Sequence, residues 1–332
     1  MPTMKKLIYL ITSIFLYHLS YSQILIDDKS GDVIGNNIPQ IGGGKNISLI
    51  RLNTGSQSIG FSHFLSSSMV DASNYSVNEF SLKTRPTDGL GPLINNGQFA
   101  PGIKLGYTYT KVNLFSDTGP GGYIDWGGVS INYDIDKYTL IKKDTTYFNQ
   151  LYNKNFNGLG LYAYYSGLIK SKWIVYGRIG YTHQNNLDEL SSVEAKEIIF
   201  TSTDPISGQQ REVVKSKIGK LGLYEEFDGF PIILSITRTT KSDDPKSPDF
   251  KESLAAARLR IGFTAYLKNV MSNRLPNTTI GVILFLAKQD KMGVRIPILG
   301  LSIQAKDPFD VLNKGNSFQN RLGIGFTSVF SL

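Results

Sequence analysis

The sequence predicts an all-β chain that closes on itself as a transmembrane antiparallel β-barrel. Three observations carry this expectation. Apolar residues recur at every second position over long segments, which is the side-chain period of a strand. Several of these segments run well past the ~5–6 residues of an ordinary globular strand. The one continuous apolar stretch near the N-terminus is too short to span hydrocarbon as a helix, which needs ~20 residues.

That stretch belongs to residues 1–22, MPTMKKLIYLITSIFLYHLSYS. Lys5 and Lys6 form a basic start, Leu7 to Leu19 an apolar centre, and Ser20 and Ser22 supply small residues before Gln23. This is the pattern of a cleaved secretory signal peptide. Removing Lys5 and Lys6 lowers the formal net charge from +8 to +6. Residues 23–56 differ in character and contain the run Gly42, Gly43, Gly44. They are expected to form an N-terminal periplasmic extension or a plug inside the lumen, with Lys45 to Asn53 as one short strand candidate. Residues 57–332 are expected to form the barrel.

The clearest strand is 171–183, SKWIVYGRIGYTH. One face carries Trp173, Val175, Gly177, Ile179 and Tyr181; the other carries Lys172, Ile174, Tyr176, Arg178, Gly180 and Thr182. Trp173 and Tyr181 fall roughly 20 Å apart along the membrane normal, near the ~25 Å between two aromatic girdles. Residues 157–169 alternate in the same way and join 171–183 through a tight turn, a hairpin signal. Residues 99–111 and 254–268 alternate as clearly. Weaker candidates are 57–65, 76–83, 122–133, 137–148, 191–202, 211–225, 230–239, 277–288 and 292–305. With 319–331 the expectation is about 14 strands, in a range of about 12–16, and an even number.

Composition narrows the chemistry. Gly is 33 of 332 residues, about 10% against a usual ~7%, which suits a turn-rich β chain. There is no cysteine, so disulfides, thiolate metal sites, thiol nucleophiles and a lipid-modified N-terminal Cys are all excluded. Of three His, His18 lies in the leader, and His63 and His183 alone do not make a multi-His metal centre. No metal or cofactor is expected. Ser62 and His63 are adjacent and so point to opposite faces of a strand; no enzyme activity is expected. The acidic groups Asp188–Glu189, Glu225–Glu226–Asp228 and Asp243–Asp244 read as solvated turns. No basic helix or aromatic nucleic-acid module occurs, and nucleic acid is not an expected partner.

The chain ends NRLGIGFTSVFSL. Leu322, Ile324, Phe326, Ser328, Phe330 and Leu332 share one face. This segment resembles the C-terminal strand of bacterial outer-membrane β-barrels, which ends in alternating apolar residues and a final aromatic. Here the last aromatic, Phe330, stands two residues before the end. The resemblance implies the outer membrane of a Gram-negative bacterium, with the barrel insertion machinery and outer-membrane lipids as partners.

The alternation puts Lys104, Arg178, Arg258, Arg260 and Arg321 on the inner face, with Arg295 ambiguous and Glu79 and Asp125 as inward acids. Rings of Arg or Lys in a pore favour anions. The expectation is a pore or transporter for small or hydrophobic solutes with a basic lumen, for which a small anionic or hydrophobic solute is the partner. The alternative is a non-transporting structural, secretion-assembly or surface-interaction barrel. There Tyr162, Tyr164, Tyr176 and Tyr266 would fill the lumen.

Overall fold

The computed structural model describes residues 25–28, 33–36, 46–54, 56, 58–66, 74–84, 102–115, 123–142, 151–169, 173–187, 190–203, 210–239, 259–272, 277–289, 295–311 and 317–331. The expected signal peptide lies outside these residues.

A small hairpin comes first, β1 (Leu25–Asp27) with β2 (Val33–Asn36). The wall then runs β3 (Ile47–Asn53), β4 (Ser58–Ser66), β5 (Asn74–Thr84), β6 (Gly102–Phe115), β7 (Tyr123–Ile141), β8 (Leu151–Ile169) and β9 (Trp173–Asn185). It resumes with β12 (Glu226–Thr239), β13 (Leu259–Ser272), β14 (Asn277–Gln289), β15 (Arg295–Lys306) and β16 (Leu322–Ser331). Every wall neighbour is antiparallel. The ring closes where β16 pairs with β3, Thr327 opposite Asn53 and Ser331 opposite Leu49. Closure gives every wall strand two neighbours, which removes the open edge that a terminal strand would otherwise leave.

The closed wall has twelve strands, two fewer than the central expectation and within its range. Two differences explain the count. Segments 191–202 and 211–225 form a separate hairpin, β10 (Ser191–Thr203) with β11 (Gln210–Leu221), whose ladder with the wall, among the described residues, is Lys220 and Leu221 running parallel to Leu140 and Ile141 of β7. Segment 122–133 and the start of 137–148 are one continuous strand, β7, which ends at Ile141; residues 143–148 lie outside the described residues. Offsetting these, the short candidate before Asn53 is a wall strand, so the wall begins before residue 57.

The alternation has its physical meaning in the side chains. Outward positions are apolar and bare: Leu105, Val129, Ile131, Leu161, Ile179, Leu234, Ile261, Leu284 and Ile324 are all exposed. In water so much uncovered carbon would be strongly unfavourable, at ~25 cal/mol per Å². In lipid it is the matching surface. No described helix is long and apolar enough to cross a membrane; the strands do the crossing, each laddered to a neighbour on both sides.

Inward positions make the core. Leu49, Phe64, Val77, Val112, Trp126, Ile283, Phe285 and Val329 are buried inside the ring, joined by Tyr164, Tyr176 and Tyr266. They lie toward the end where β3 begins and β16 stops. Four of the six connections at the opposite end have nine or more residues, against one of five at the first, and there β7 and β8, at 19 residues each, outrun the ~9–11 needed to cross a bilayer. That extended ribbon and the β10–β11 hairpin stand outside the membrane.

Candidate lumen and rim sites

The first candidate site is the lumen. The β1–β2 hairpin crosses it, and the wall holds it by backbone carbonyls. Asn53 on β3 donates from Nδ2 to the Asp28 carbonyl at 2.8 Å. Arg178 on β9 donates to the Val33 carbonyl at 3.4 Å, and Ser235 on β12 donates to the Ile34 carbonyl at 2.8 Å. Ile34 is fully buried in the same apolar cluster as Leu49, Phe64 and Ile233. The hairpin pairs with no wall strand; β1 and β2 form their own two-stranded sheet.

The inner-face cations whose side chains are described each engage a different partner. Lys104 on β6 pairs with Asp134 of the adjacent β7 at 3.1 Å. Arg178 lies flat over the Tyr162 ring, 3.6 Å from its centre, while also holding Val33. Arg321 is not on a strand. It ends a single helical turn, α1 (Phe318–Arg321), and donates to the Asp307 carbonyl at 2.6 Å while pairing with Asp310 at 3.4 Å. Asp307 and Asp310 both have positive φ, and Arg321 fastens that tight loop between β15 and β16. Arg260 is a backbone position of β13 opposite Ala287, and Arg295 is the first residue of β15 opposite Gln289. Arg258 lies outside the described residues.

Of the acids, Glu79 is buried on the inner face beside Val77. Asp125 instead shares its face of β7 with Val129. There it accepts from Asn113 and from the Tyr165 hydroxyl, both at 2.7 Å. Sequence alternation missed Arg51, an inward and buried residue of β3 whose guanidinium donates to Ser62 Oγ at 3.1 Å. Its signal was present, since it alternates with Leu49 and Asn53 in the short candidate strand.

Ser62 and His63 do point apart. Ser62 is buried inside with Arg51, and the His63 ring meets Ser48 Oγ on the other face at 2.8 Å. A hydroxyl beside an imidazole is half of a nucleophile–base arrangement. Among the described bonds no carboxylate orients this imidazole.

The second candidate site is the rim at the long-loop end. His183 Nδ1 meets Asp228 at 2.8 Å, and its Nε2 lies 3.5 Å from Glu226, which also pairs with Lys154 at 3.1 Å. The ring stacks on Phe156, with centres 5.7 Å apart. Hydrogen bonding to Asp228 holds the His183 pKa above its ordinary value; burial opposes this, and Glu226 adds to it. His183 in turn draws the Asp228 carboxyl down. For Glu226, burial pushes upward, but Lys154 and His183 together bring the carboxyl below its usual range. The two carboxylates engage different ring nitrogens, so they do not converge on one ion. No metal-binding cluster occurs among the described residues.

A closed antiparallel ring with a continuous apolar exterior and a buried interior is a membrane-spanning wall. The chain is a transmembrane antiparallel β-barrel. Among solved structures it is similar to the beta domain of the Bordetella autotransporter Brka, with a TM-score of 0.36 and 9% identity over 86% of this chain and 96% of that one. No family model and no curated protein matches the sequence.

Proposed function

We propose that this barrel has a closed lumen and works through its extramembrane surface, as a surface-interaction or secretion-assembly component rather than a standing pore. The observation that carries the reading is the buried core that fills the ring, with Ile34 of the crossing hairpin sealed inside it. A conducting path needs a continuous water-lined lumen, and the packed Leu, Phe, Trp and Tyr side chains toward the end where β3 begins stand across that path. The working surface is then the ribbon of β7 and β8 beyond the membrane, with the β10–β11 hairpin beside it. Leu223, 75% exposed, lies in this region and offers an apolar contact to a partner.

A second reading is a gated transporter in which the hairpin leaves the lumen. Its support is that, among the described residues, the hairpin forms no ladder with the wall and wall side chains bond its Asp28, Val33 and Ile34 carbonyls. The absence of native cysteine makes the test clean. Ile34→Cys with Ser235→Cys would tether the hairpin when oxidised, and currents would be recorded across a planar bilayer. The closed-lumen reading expects no steady current in the unaltered chain or in either state of the tethered one. A current in the reduced form that vanishes on oxidation supports the transporter. A steady anion-selective current in the unaltered chain refutes the closed lumen.

A further inference from the structure

The outer wall of a closed barrel bulges toward lipid, so a cavity on that face needs a local cause. One exists here, of about 830 Å³, between β6 and β13. Its lining includes Tyr107, Ile131, Leu161, Ala163, Ile179 and Phe230. Register places these at one height. Tyr107 is opposite Ile131, Ile131 opposite Leu161, and Leu161 opposite Tyr181. The cavity is therefore a dish that crosses six strands, roughly 24 Å at ~4.8 Å per strand. The cause lies on the inner face. A Cβ at Gly180 would collide with the Leu161 carbonyl and the Tyr162 ring. With no side chain there, the β9 backbone packs directly on Tyr162, and the small Ala163 on the outer face leaves the hollow unfilled.

The dish offers carbon and little else. Ile179 is 60% exposed and Phe230 54%. The two tyrosine hydroxyls at its margins are engaged within the protein: Tyr107 donates to Asn78 and Tyr181 to Asp228, each at 2.7 Å. The dish is also continuous with the lipid-facing belt, bordered by Val175 below and Leu159 above. The occupant that matches both its chemistry and its surroundings is hydrocarbon chain from the bilayer.

We propose that the dish formed by Leu161, Ala163, Ile179 and Phe230 is a binding site for the acyl chain of a membrane lipid, held more firmly than the lipid around the rest of the wall. Recognition is of the chain, and the headgroup contributes nothing.

The test uses the full chain in detergent, mixed with dimyristoylphosphatidylcholine or dimyristoylphosphatidylglycerol, with bound lipid read by native mass spectrometry. Ala163→Trp fills the dish; Val282→Trp adds the same bulk to the lipid face of β14, outside it. Folding is checked for each by heat-modifiable gel mobility. If Ala163→Trp does not fold, Ile179→Phe replaces it. The expected result is retained lipid of either headgroup in the unaltered chain and in Val282→Trp, and its loss in the dish variant. Retention in the dish variant, retention of the anionic lipid alone, or no retained lipid in the unaltered chain would each overturn the proposal.

Discussion

Replacing Ile34 by Ala tests whether the hairpin is seated in the lumen by packing. Ile34 is fully buried, and its carbonyl accepts from Ser235. The substitution removes three carbons and leaves that carbonyl in place. Transfer alone is worth ~0.8 kcal/mol per methylene, about 2.4 kcal/mol in all. The hole left among rigid wall residues such as Ile233 raises the loss to about 2.5–4 kcal/mol. Release of the hairpin should then be roughly 60- to 700-fold more frequent. The assay places one thiol behind the hairpin. Ser235→Cys, in a chain without native cysteine, is labelled by a charged maleimide with and without Ile34→Ala. The Cys variant loses one hydrogen bond in both backgrounds, so the comparison isolates Ile34. Labelling should accelerate by about that factor while gel mobility still reports a folded barrel. A rate within about threefold of the Ile34 background, less than ~0.7 kcal/mol, would refute the packing argument.

Other outcomes follow from the same structure. Arg178→Met should also speed labelling at Ser235→Cys, because Arg178 holds the Val33 carbonyl, and should leave the barrel non-conducting. Gly180→Ala should cost about 1–3 kcal/mol, because the new Cβ meets the Leu161 carbonyl, which cannot swing aside; the melting temperature of the folded gel band reads this. The rim should be tightest in mildly acidic buffer. The raised His183 pKa stabilises below its unfolded value near 6.5 and loses that contribution as pH rises through the folded pKa. The lowered carboxyls of Asp228 and Glu226 act above about pH 4 and lose theirs as pH falls through their folded pKa values. Protection of the amides over 223–228, after correction for intrinsic exchange, should therefore be greatest at about pH 5–6, and His183→Gln should remove the loss of protection toward about pH 8. Arg321→Ala should cost about 1–2 kcal/mol and make the loop at Asp307 and Asp310 the first site of proteolysis.

Strand phase was the legible part of this sequence. Trp173, Val175, Ile179 and Tyr181 do share the lipid face, and Tyr176 and Arg178 the interior, because a two-residue period admits only two phases and one of them must meet hydrocarbon. Closure at the C-terminal strand was legible for the same reason. Strand number was less so. The β10–β11 hairpin alternates like a wall strand, and nothing local distinguishes a ribbon paired at its foot from one built into the ring. The hairpin's place in the lumen was legible only as one of two options, since the wall recognises its carbonyls and every residue has one. Arg321 was misread because a helical turn of four residues interrupts the alternation just before Leu322, and Asp125 because β7 was divided between two segments.

The inner cations illustrate how counting charge on a face differs from locating it. Lys104, Arg178 and Arg51 all point inward as a run of alternating residues would have them. A row of bare charges in so filled a space would be costly, because desolvation of each ion exceeds what a distant counter-charge returns. The structure meets that cost residue by residue, and each cation becomes a fastener. Lys104 ties β6 to β7 through Asp134. Arg51 ties β3 to β4 through Ser62. Arg178 covers the Tyr162 ring and reaches the hairpin. A basic inner face in a twelve-strand ring is thus compatible with a sealed interior. The same tyrosine ring over which Arg178 lies also occupies the space that Gly180 vacates. Arg178, Tyr162 and Gly180 therefore form one packing unit on the inner face of the wall.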